Sequence, residues 1–313
     1  GIPPEKIVFS GVGKSASELT MALEKDILQI NIESEPELKQ LEKIASSIGK
    51  CAKVAFRINP NVDAGSHDKI STGRQEDKFG IEWTRVSETF SQAAKMKFID
   101  PVGLAIHIGS QLTDLLPFKN AFLRLREITT SLKEEGHNIL RLDVGGGLGI
   151  PYDNSNVPTF SDYSHLAIDN LGDLGCDILF EPGRVIVGDA GLLITKVIYV
   201  KEGPTREFLI VDSAMNDLLR PSLYGAQHEI MPVCENIKQV STNNSRLVDI
   251  VGPVCETGDK FATAIPFPPI SQGDLIAIKS AGAYGAVMSS NYNSRPRLAE
   301  LMITNGTVKT IRN

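Results

Sequence analysis

The feature that most constrains this chain is the alternation of short apolar, β-branched runs with amphipathic helical patterns through its first half. Strand-like runs lie at residues 6–9, 28–32, 52–58, 102–108, 139–144 and 177–180. Between them, helical periodicity covers residues 16–25, 35–48, 83–97, 117–135 and 162–173. The clearest helix has Ser34 as N-cap and Glu37 completing a capping box. Its apolar face is Leu38, Leu41, Ile44, Ala45 and Ile48, and Gly49 ends it. Parallel strands need a long crossover rather than a tight turn, so this alternation predicts a parallel sheet covered by helices.

After about residue 188 the pattern changes to strand-like runs without long helices, at residues 192–200, 207–212, 246–251, 275–279 and 298–303. The Pro-rich stretch 265–270 reads as a loop. The chain therefore divides into an α/β domain, residues 1–189, and an all-β domain, residues 190–313. Two architectures suit the first: an open doubly wound sheet, or a (β/α)8 TIM-type barrel lacking its first two strand-helix units. His107, Gly145 to Gly147 and Glu181 to Arg184 all fall at the C-terminal ends of strands. A barrel gathers its site from several strand ends, whereas an open sheet concentrates binding at one switch point, so the barrel is preferred. The chain opens at Gly1 without a methionine and runs straight into a strand-like segment, which reads as a start within a fold.

Composition excludes several classes of function. With 42% hydrophobic and 22% charged residues, 313 residues bury their cores without staples. The net charge of -6 and the lack of a basic block disfavour nucleic acid and anionic membranes as partners. No apolar run reaches the roughly 18 residues of a membrane span, Lys196 and Lys201 interrupting the greasiest stretch. There is no signal-peptide pattern, and Cys51, Cys176, Cys234 and Cys255 stand far apart, which points to a reducing cytoplasm. The five histidines form no HExxH motif, and a metal site is not expected.

Several segments carry chemistry, each with a plainer reading beside it. Asp143-Val-Gly-Gly-Gly-Leu-Gly149 is either a tight turn or a loop whose bare N–H groups wrap a phosphate; it is neither a dinucleotide fingerprint nor a Walker loop. Glu181-Pro-Gly-Arg184 is an ion-paired turn, or a carboxylate that keeps a heterocyclic nitrogen protonated beside an arginine fork for a substrate carboxylate. His107, in the run to Gln111, is a satisfied buried histidine or a cofactor contact, with Ser110 able to donate to a phosphate. In the all-β part Cys255 and Glu256 share a glycine-flanked loop, where a thiol with an ordinary pKa of about 8.5 can deliver a proton. Arg220 and Tyr224 share one polar segment, and Tyr284 stands between small residues.

Together, and in this order, His107-Ile-Gly-Ser-Gln111, the Asp143 to Gly149 run, Glu181-Pro-Gly-Arg184, the Asp212 to Tyr224 segment, Gly252 to Asp259 and Ala281-Gly-Ala-Tyr-Gly285 resemble the diaminopimelate decarboxylases of fold-type III. The likeness spans essentially the whole chain. It implies a barrel with a C-terminal β domain, a homodimer with shared active sites, and decarboxylation of meso-2,6-diaminopimelate to L-lysine on pyridoxal 5'-phosphate, the last step of lysine biosynthesis. His107 would stack on the cofactor ring, Ser110 with Gly145, Gly146 and Gly147 would hold its phosphate, and Glu181 would pair with the ring nitrogen. Pro182, Gly183 and Arg184 would line the same pocket, Arg184 also meeting substrate, and Tyr284 would touch both cofactor and substrate. Arg220 and Tyr224 would grip the distal carboxylate. From the partner subunit, Cys255 would return the proton and Glu256 would bind the distal ammonium.

Two departures from the family pattern stand out. Thr257 replaces the usual serine and keeps the hydroxyl. The Schiff-base lysine, in a Tyr-Ala-x-Lys context on the first barrel strand, has no counterpart, and Lys14 and Lys53 lie in other contexts. These residues alone are therefore expected to bind cofactor weakly. The alternatives are an ornithine- or arginine-type decarboxylase or a racemase on the same scaffold, or a non-catalytic homologue; a Cys-Glu pair resembles the diaminopimelate type, where the ornithine type has Cys-Asp.

Overall fold

The computed structural model describes residues 1–63, 72–73, 78–153, 155–233 and 245–312; Cys234 lies outside the described residues. The chain forms two compact units, one of residues 1–149 and 157–182, the other of residues 150–156 and 183–313.

The first unit is a parallel sheet built from β1 (Val8–Phe9), β2 (Gln29–Ile32), β3 (Ala52–Asn59), β4 (Ile81–Glu82), β5 (Ile99–Ile106), β6 (Arg141–Asp143) and β7 (Asp177–Leu179). The strand order is β1-β2-β3-β5-β6-β7, with the short β4 paired to the end of β3. Spatial order follows chain order without a reversal. A doubly wound sheet needs a reversal to create its switch point, so the progression is of the barrel type. Each crossover carries a helix: α1 (Ala16–Glu24), α2 (Glu35–Ile48), α3 (Val86–Ala93), α4 (Leu116–Glu134) and α5 (Phe160–Leu171).

The helices fall where their periodicity placed them, and their differences have local causes. The stretch 83–97 becomes a single 3-10 turn, Trp83–Arg85, followed by the eight-residue α3. At α2, Ser34 accepts from Glu37 N as expected. The Glu37 carboxylate does not close the capping box; it accepts from Glu33 N at 2.8 Å and pairs with Lys14 Nζ at 2.7 Å. The Lys14 side chain is 1% exposed, and a buried ammonium left without a carboxylate would cost more than a cap contributes. Ile48 is only half-buried, while Leu38, Leu41, Ile44 and Ala45 are buried. Phe56 of β3 meets Phe90 of α3 edge-on at 5.6 Å, and Phe118 and Phe122 of α4 pack with Tyr163 of α5.

The second unit contains a six-stranded sheet of β8 (Leu193–Glu202), β9 (Glu207–Val211), β10 (Ile230–Pro232), β11 (Arg246–Val251), β12 (Lys260–Phe267) and β13 (Leu275–Ile278), in the order β10-β13-β8-β9-β11-β12. Only β9 and β11 pair in parallel. Its core is aliphatic: Val197, Leu209, Val211, Val248, Ile250, Ile276 and Ile278 with Phe267. The expected loop at 265–270 is overturned in part, because β12 runs through Phe267 with Pro266 opposite Leu247. β12 is an edge strand, where a missing N–H forfeits no ladder bond. A hairpin of β14 (Glu300–Thr304) and β15 (Thr307–Arg312) follows; its turn residues Asn305 and Gly306 have φ of 50° and 74°. Asn-Gly is the strongest short hairpin signal, so β15 was legible and overlooked. Two short helices, α6 (Arg184–Val187) and α7 (Arg220–Tyr224), complete this unit. Among the described residues no helix is long and apolar enough to cross a membrane, and no group of His, Cys, Asp or Glu is arranged to hold a metal.

Two glycines test the packing of the first unit. Gly49 caps α2 at φ 69° with open space where a side-chain methyl would project, whereas a Cβ on Gly103 would collide with the Arg141 carbonyl where β5 pairs β6. Gly49→Ala is expected to cost about 1 kcal/mol from the left-handed backbone alone. Gly103→Ala is expected to cost about 3 kcal/mol or more from overpacking. Urea unfolding followed by the fluorescence of Trp83, the single tryptophan, would rank the two.

Candidate functional site

In the first unit, the chemically capable residues meet at the C-terminal ends of the strands. His107 follows β5 directly instead of lying within it, because the strand runs Ile99–Ile106. Gly146 N donates to His107 Nδ1 at 3.2 Å, which leaves the ring hydrogen on Nε2. Burial, with the Arg57 guanidinium nearby adding to it and Glu181 opposing, lowers the His107 pKa to about 4, so the ring is neutral at physiological pH. Arg57 is itself paired with Glu33 at 2.6 Å.

The glycine run after β6 is packed against backbone. A Cβ on Gly146 would strike the Glu181 carbonyl, and one on Gly147 the Gly109 carbonyl, so both positions demand glycine. The turn thus sits between the His107 to Ser110 segment and Glu181.

Glu181 follows β7 with its side chain exposed, and a polar network orients its carboxylate. Ser10 Oγ donates to Oε1 at 2.7 Å and Asn31 Nδ2 lies 3.3 Å from the same oxygen. Asn31 Nδ2 also donates to Asp143 Oδ2 at 2.8 Å, and Gln29 Nε2 to Asn31 Oδ1 at 2.9 Å. Asp143 is fully buried and hydrogen-bonded to Glu181. Burial first, then the hydrogen bond and charge of Glu181, push its pKa up to about 8. Of two adjacent carboxyls, the one out of water keeps the proton. Ser10, Asn31 and Asp143 carry no role that the sequence alone assigns. The signal lay in β2, whose four residues are all buried although Gln29 and Asn31 are polar.

In the second unit Arg184 and Arg220 are both buried around Tyr152. Arg184 Nη1 donates to Tyr152 Oη at 2.7 Å, and its guanidinium carbon lies 4.6 Å from the Tyr284 ring centroid. The Arg220 guanidinium carbon lies 4.0 Å from the Tyr152 ring centroid. Arg220 Nη1 stands 2.7 Å from His228 Nε2. Tyr152 and His228 are the residues that sequence reasoning missed here; Tyr152 lies far from its partners in sequence, His228 follows Arg220 by eight residues, and neither carries a motif. Tyr224 ends α7, half-buried. A third group sits on the 252–259 loop, where Cys255 and Glu256 are exposed. Asn293 Nδ2 lies 3.6 Å from Cys255 Sγ, and Tyr292 Oη donates to the Glu256 carboxylate. Asp259 holds the loop by accepting from Met215 N and Val254 N, each at 2.7 Å.

The donor set of the first unit suits a phosphorylated pyridine: a glycine turn and a serine for the anion, with Gly145 N and Gly146 N already given to Asp143 Oδ1 and His107 Nδ1, a flat neutral imidazole, and an oriented carboxylate for a protonated ring nitrogen. Residues 1–188 match the family model described as pyridoxal-dependent decarboxylase, pyridoxal binding domain. All 313 residues align at 44% identity with the diaminopimelate decarboxylase of Aquifex aeolicus, covering 73% of it. The chain belongs to the diaminopimelate decarboxylase family. The enzyme of Zymomonas mobilis is 47% identical over the full chain, which covers 73% of it. The crystal structure of the Helicobacter pylori diaminopimelate decarboxylase complexed with L-lysine superposes with a TM-score of 0.94 at 45% identity, over 100% of this chain and 77% of that one. A viral arginine decarboxylase at 20% identity and a TM-score of 0.80 shares the fold.

The buried groups set a pH window for stability. Asp143 keeps its proton to about pH 8 in the folded chain but loses it near its ordinary 3.8 when unfolded, so its stabilisation is full at low pH and is lost as pH rises through 8. His107 and His228, each lowered from 6.5 to about 4, act in the opposite sense. Their contribution is full above pH 6.5 and is lost as pH falls through 4. Asp143→Asn is expected to remove the Asp143 decline in thermal midpoint across about pH 4 to 8, so that the midpoint flattens above pH 6.5 and the histidine-driven rise between pH 4 and 6.5 steepens, read from Trp83 fluorescence.

Proposed function

We propose that this chain catalyses decarboxylation of meso-2,6-diaminopimelate to L-lysine. The observation that carries the reading is full-length identity of 44–47% to diaminopimelate decarboxylases, one relative of which binds L-lysine. Pyridoxal phosphate, when bound, supplies the electron sink for the bond between the α-carbon and the departing carboxylate.

The chain's own residues then have the following tasks. Ser110 and the Gly147 amide hold the phosphate, while Gly145 and Gly146, whose N–H groups go to Asp143 Oδ1 and His107 Nδ1, shape the turn. Glu181 accepts from the protonated ring nitrogen, with Ser10 and Asn31 fixing its carboxylate. The neutral Asp143 beside it avoids a buried charge next to that carboxylate. His107 offers a flat uncharged ring for stacking, which adds no competing cation beside that nitrogen. Pro182 and Gly183 carry the backbone from Glu181 to Arg184.

Arg184, Tyr284, Arg220 and Tyr224 bind the substrate, the two guanidiniums offering planar forks to carboxylate. Glu256 takes the distal ammonium. Carbon dioxide departs, and Cys255 Sγ gives its proton to the α-carbon in its place, the thiolate recovering a proton from water. Cys255 and Glu256 serve the site of a second copy of the chain. The hairpin β14–β15 supports that pairing, since Leu301, Met302, Ile303, Val308 and Ile311 are all exposed on it. The barrel domain ends near residue 189 and the β domain follows, in a cytoplasmic homodimer.

The holoenzyme is expected to show a visible cofactor band that shifts on adding meso-diaminopimelate, with carbon dioxide release from it and not from ornithine or arginine; release from ornithine alone would transfer the chain to the other decarboxylase class. Cys255→Ala should lower kcat by about a hundredfold or more while the band remains, the usual scale for loss of a proton donor. Ile303→Glu with Val308→Glu, partners across the hairpin, should yield monomers in sedimentation and lose activity with the thermal transition retained.

A further inference from the structure

Arg220 is a buried cation with an unusual companion. Its side chain is taken up by the Tyr152 ring at 4.0 Å and by His228 Nε2 at 2.7 Å, and no carboxylate pairs with it among the described residues. The donor and acceptor inventory settles the state of His228. Its Nδ1 lies 2.8 Å from the Lys279 carbonyl, which only accepts, so Nδ1 carries the hydrogen. Arginine only donates, so Nε2 must present its lone pair. The imidazole is therefore neutral and clamped at both ends, and the same ring stands edge-on to Tyr152 at 4.9 Å. The charged groups facing it are Arg220 and Arg184, and burial together with both holds its pKa near 4.

We propose that His228 is a positioning residue that fixes Arg220 for the distal carboxylate of the substrate without neutralising it, and so sets selectivity for ligands that carry that carboxylate. The physical reason lies in the choice of acceptor. An aspartate or glutamate in place of His228 would orient the guanidinium equally well but would cancel the charge the ligand must meet. A neutral imidazole leaves that charge whole, and Tyr152 beneath it supplies a further contact that costs no charge.

The inference rests on the reading that Arg220 meets the distal carboxylate, and L-lysine, the product, retains that group. Calorimetric binding to the full-length holoenzyme therefore compares L-lysine with cadaverine, which keeps both amines and lacks the carboxylate. His228→Gln places an amide oxygen near the Nε2 position and preserves the acceptor toward Arg220. His228→Asn keeps a donor toward Lys279 but falls short of Arg220. Wild type is expected to prefer lysine. His228→Asn should lose about tenfold to a hundredfold of lysine affinity with cadaverine unchanged, the scale of one charge-assisted hydrogen bond. His228→Gln should stay near wild type, and KM for diaminopimelate should rise in His228→Asn more than kcat falls.

If wild type prefers lysine and His228→Asn keeps that preference, the positioning role is overturned while the function stands. Equal losses for both ligands in both variants indicate a structural role only and also overturn it. If wild type does not distinguish lysine from cadaverine, the proposed function itself fails. Nitrogen-15 NMR of histidine-labelled wild type is independent of any variant: a neutral Nδ1–H tautomer for His228 at pH 7 is required, and the Nε2–H tautomer or a protonated ring would refute the clamp.

Discussion

One side-chain amide ties together the working end of the first unit. Asn31 Nδ2, within β2, reaches Ser10 Oγ at 2.9 Å, Asp143 Oδ2 at 2.8 Å and Glu181 Oε1 at 3.3 Å, linking it to residues that follow or end β1, β6 and β7. Leaving the buried Asn31 or Asp143 unmatched would cost about 1 to 3 kcal/mol, so the network specifies one relative placement of the strand ends. The Glu181 carboxylate is oriented by that placement, and the Gly145 to Gly147 turn is in turn confined between Glu181 and the His107 to Ser110 segment. Chemistry at the strand ends thus depends on polar contacts one layer deeper.

Charge is handled by different means in the two units. In the first, two neighbouring carboxyls coexist because burial keeps Asp143 protonated beside the exposed Glu181. In the second, Arg220 is held by neutral groups, the Tyr152 ring and the His228 imidazole, while Arg184 donates to the Tyr152 hydroxyl and lies over the Tyr284 ring. In each unit a neutral titratable group stands beside a residue proposed to meet ligand. Under the proposed function, a buried counter-ion at either place would compete with cofactor or substrate.

Much of this architecture was legible from residue order. Strand and helix periods located every long element of the first unit, because a half-buried helix and a buried strand leave different hydrophobic repeats. The errors were local. Glu37 forsook its cap for the buried Lys14, a contact across 23 residues that no local pattern encodes. β12 was cut short because proline reads as a breaker, and only the strand's edge position makes Pro266 harmless. The motif residues were visible as glycines, an acid, a cysteine and arginines in unusual company. Their partners Asn31, Tyr152, His228 and Asn293 were not, since each is ordinary in its own neighbourhood.

By itself the sequence determined the parallel α/β unit, the all-β unit and the list of residues able to bind an anion, orient a ring nitrogen or deliver a proton. Those properties follow from periodicity and from side-chain chemistry, which are local. Tertiary structure alone decided the state in which each group works: Asp143 protonated, His107 and His228 neutral on opposite ring nitrogens, Arg220 held by an uncharged acceptor. Protonation and tautomer depend on burial and on partners as much as 171 residues apart, as Ser10 and Glu181 are, and those distances close only when the chain folds.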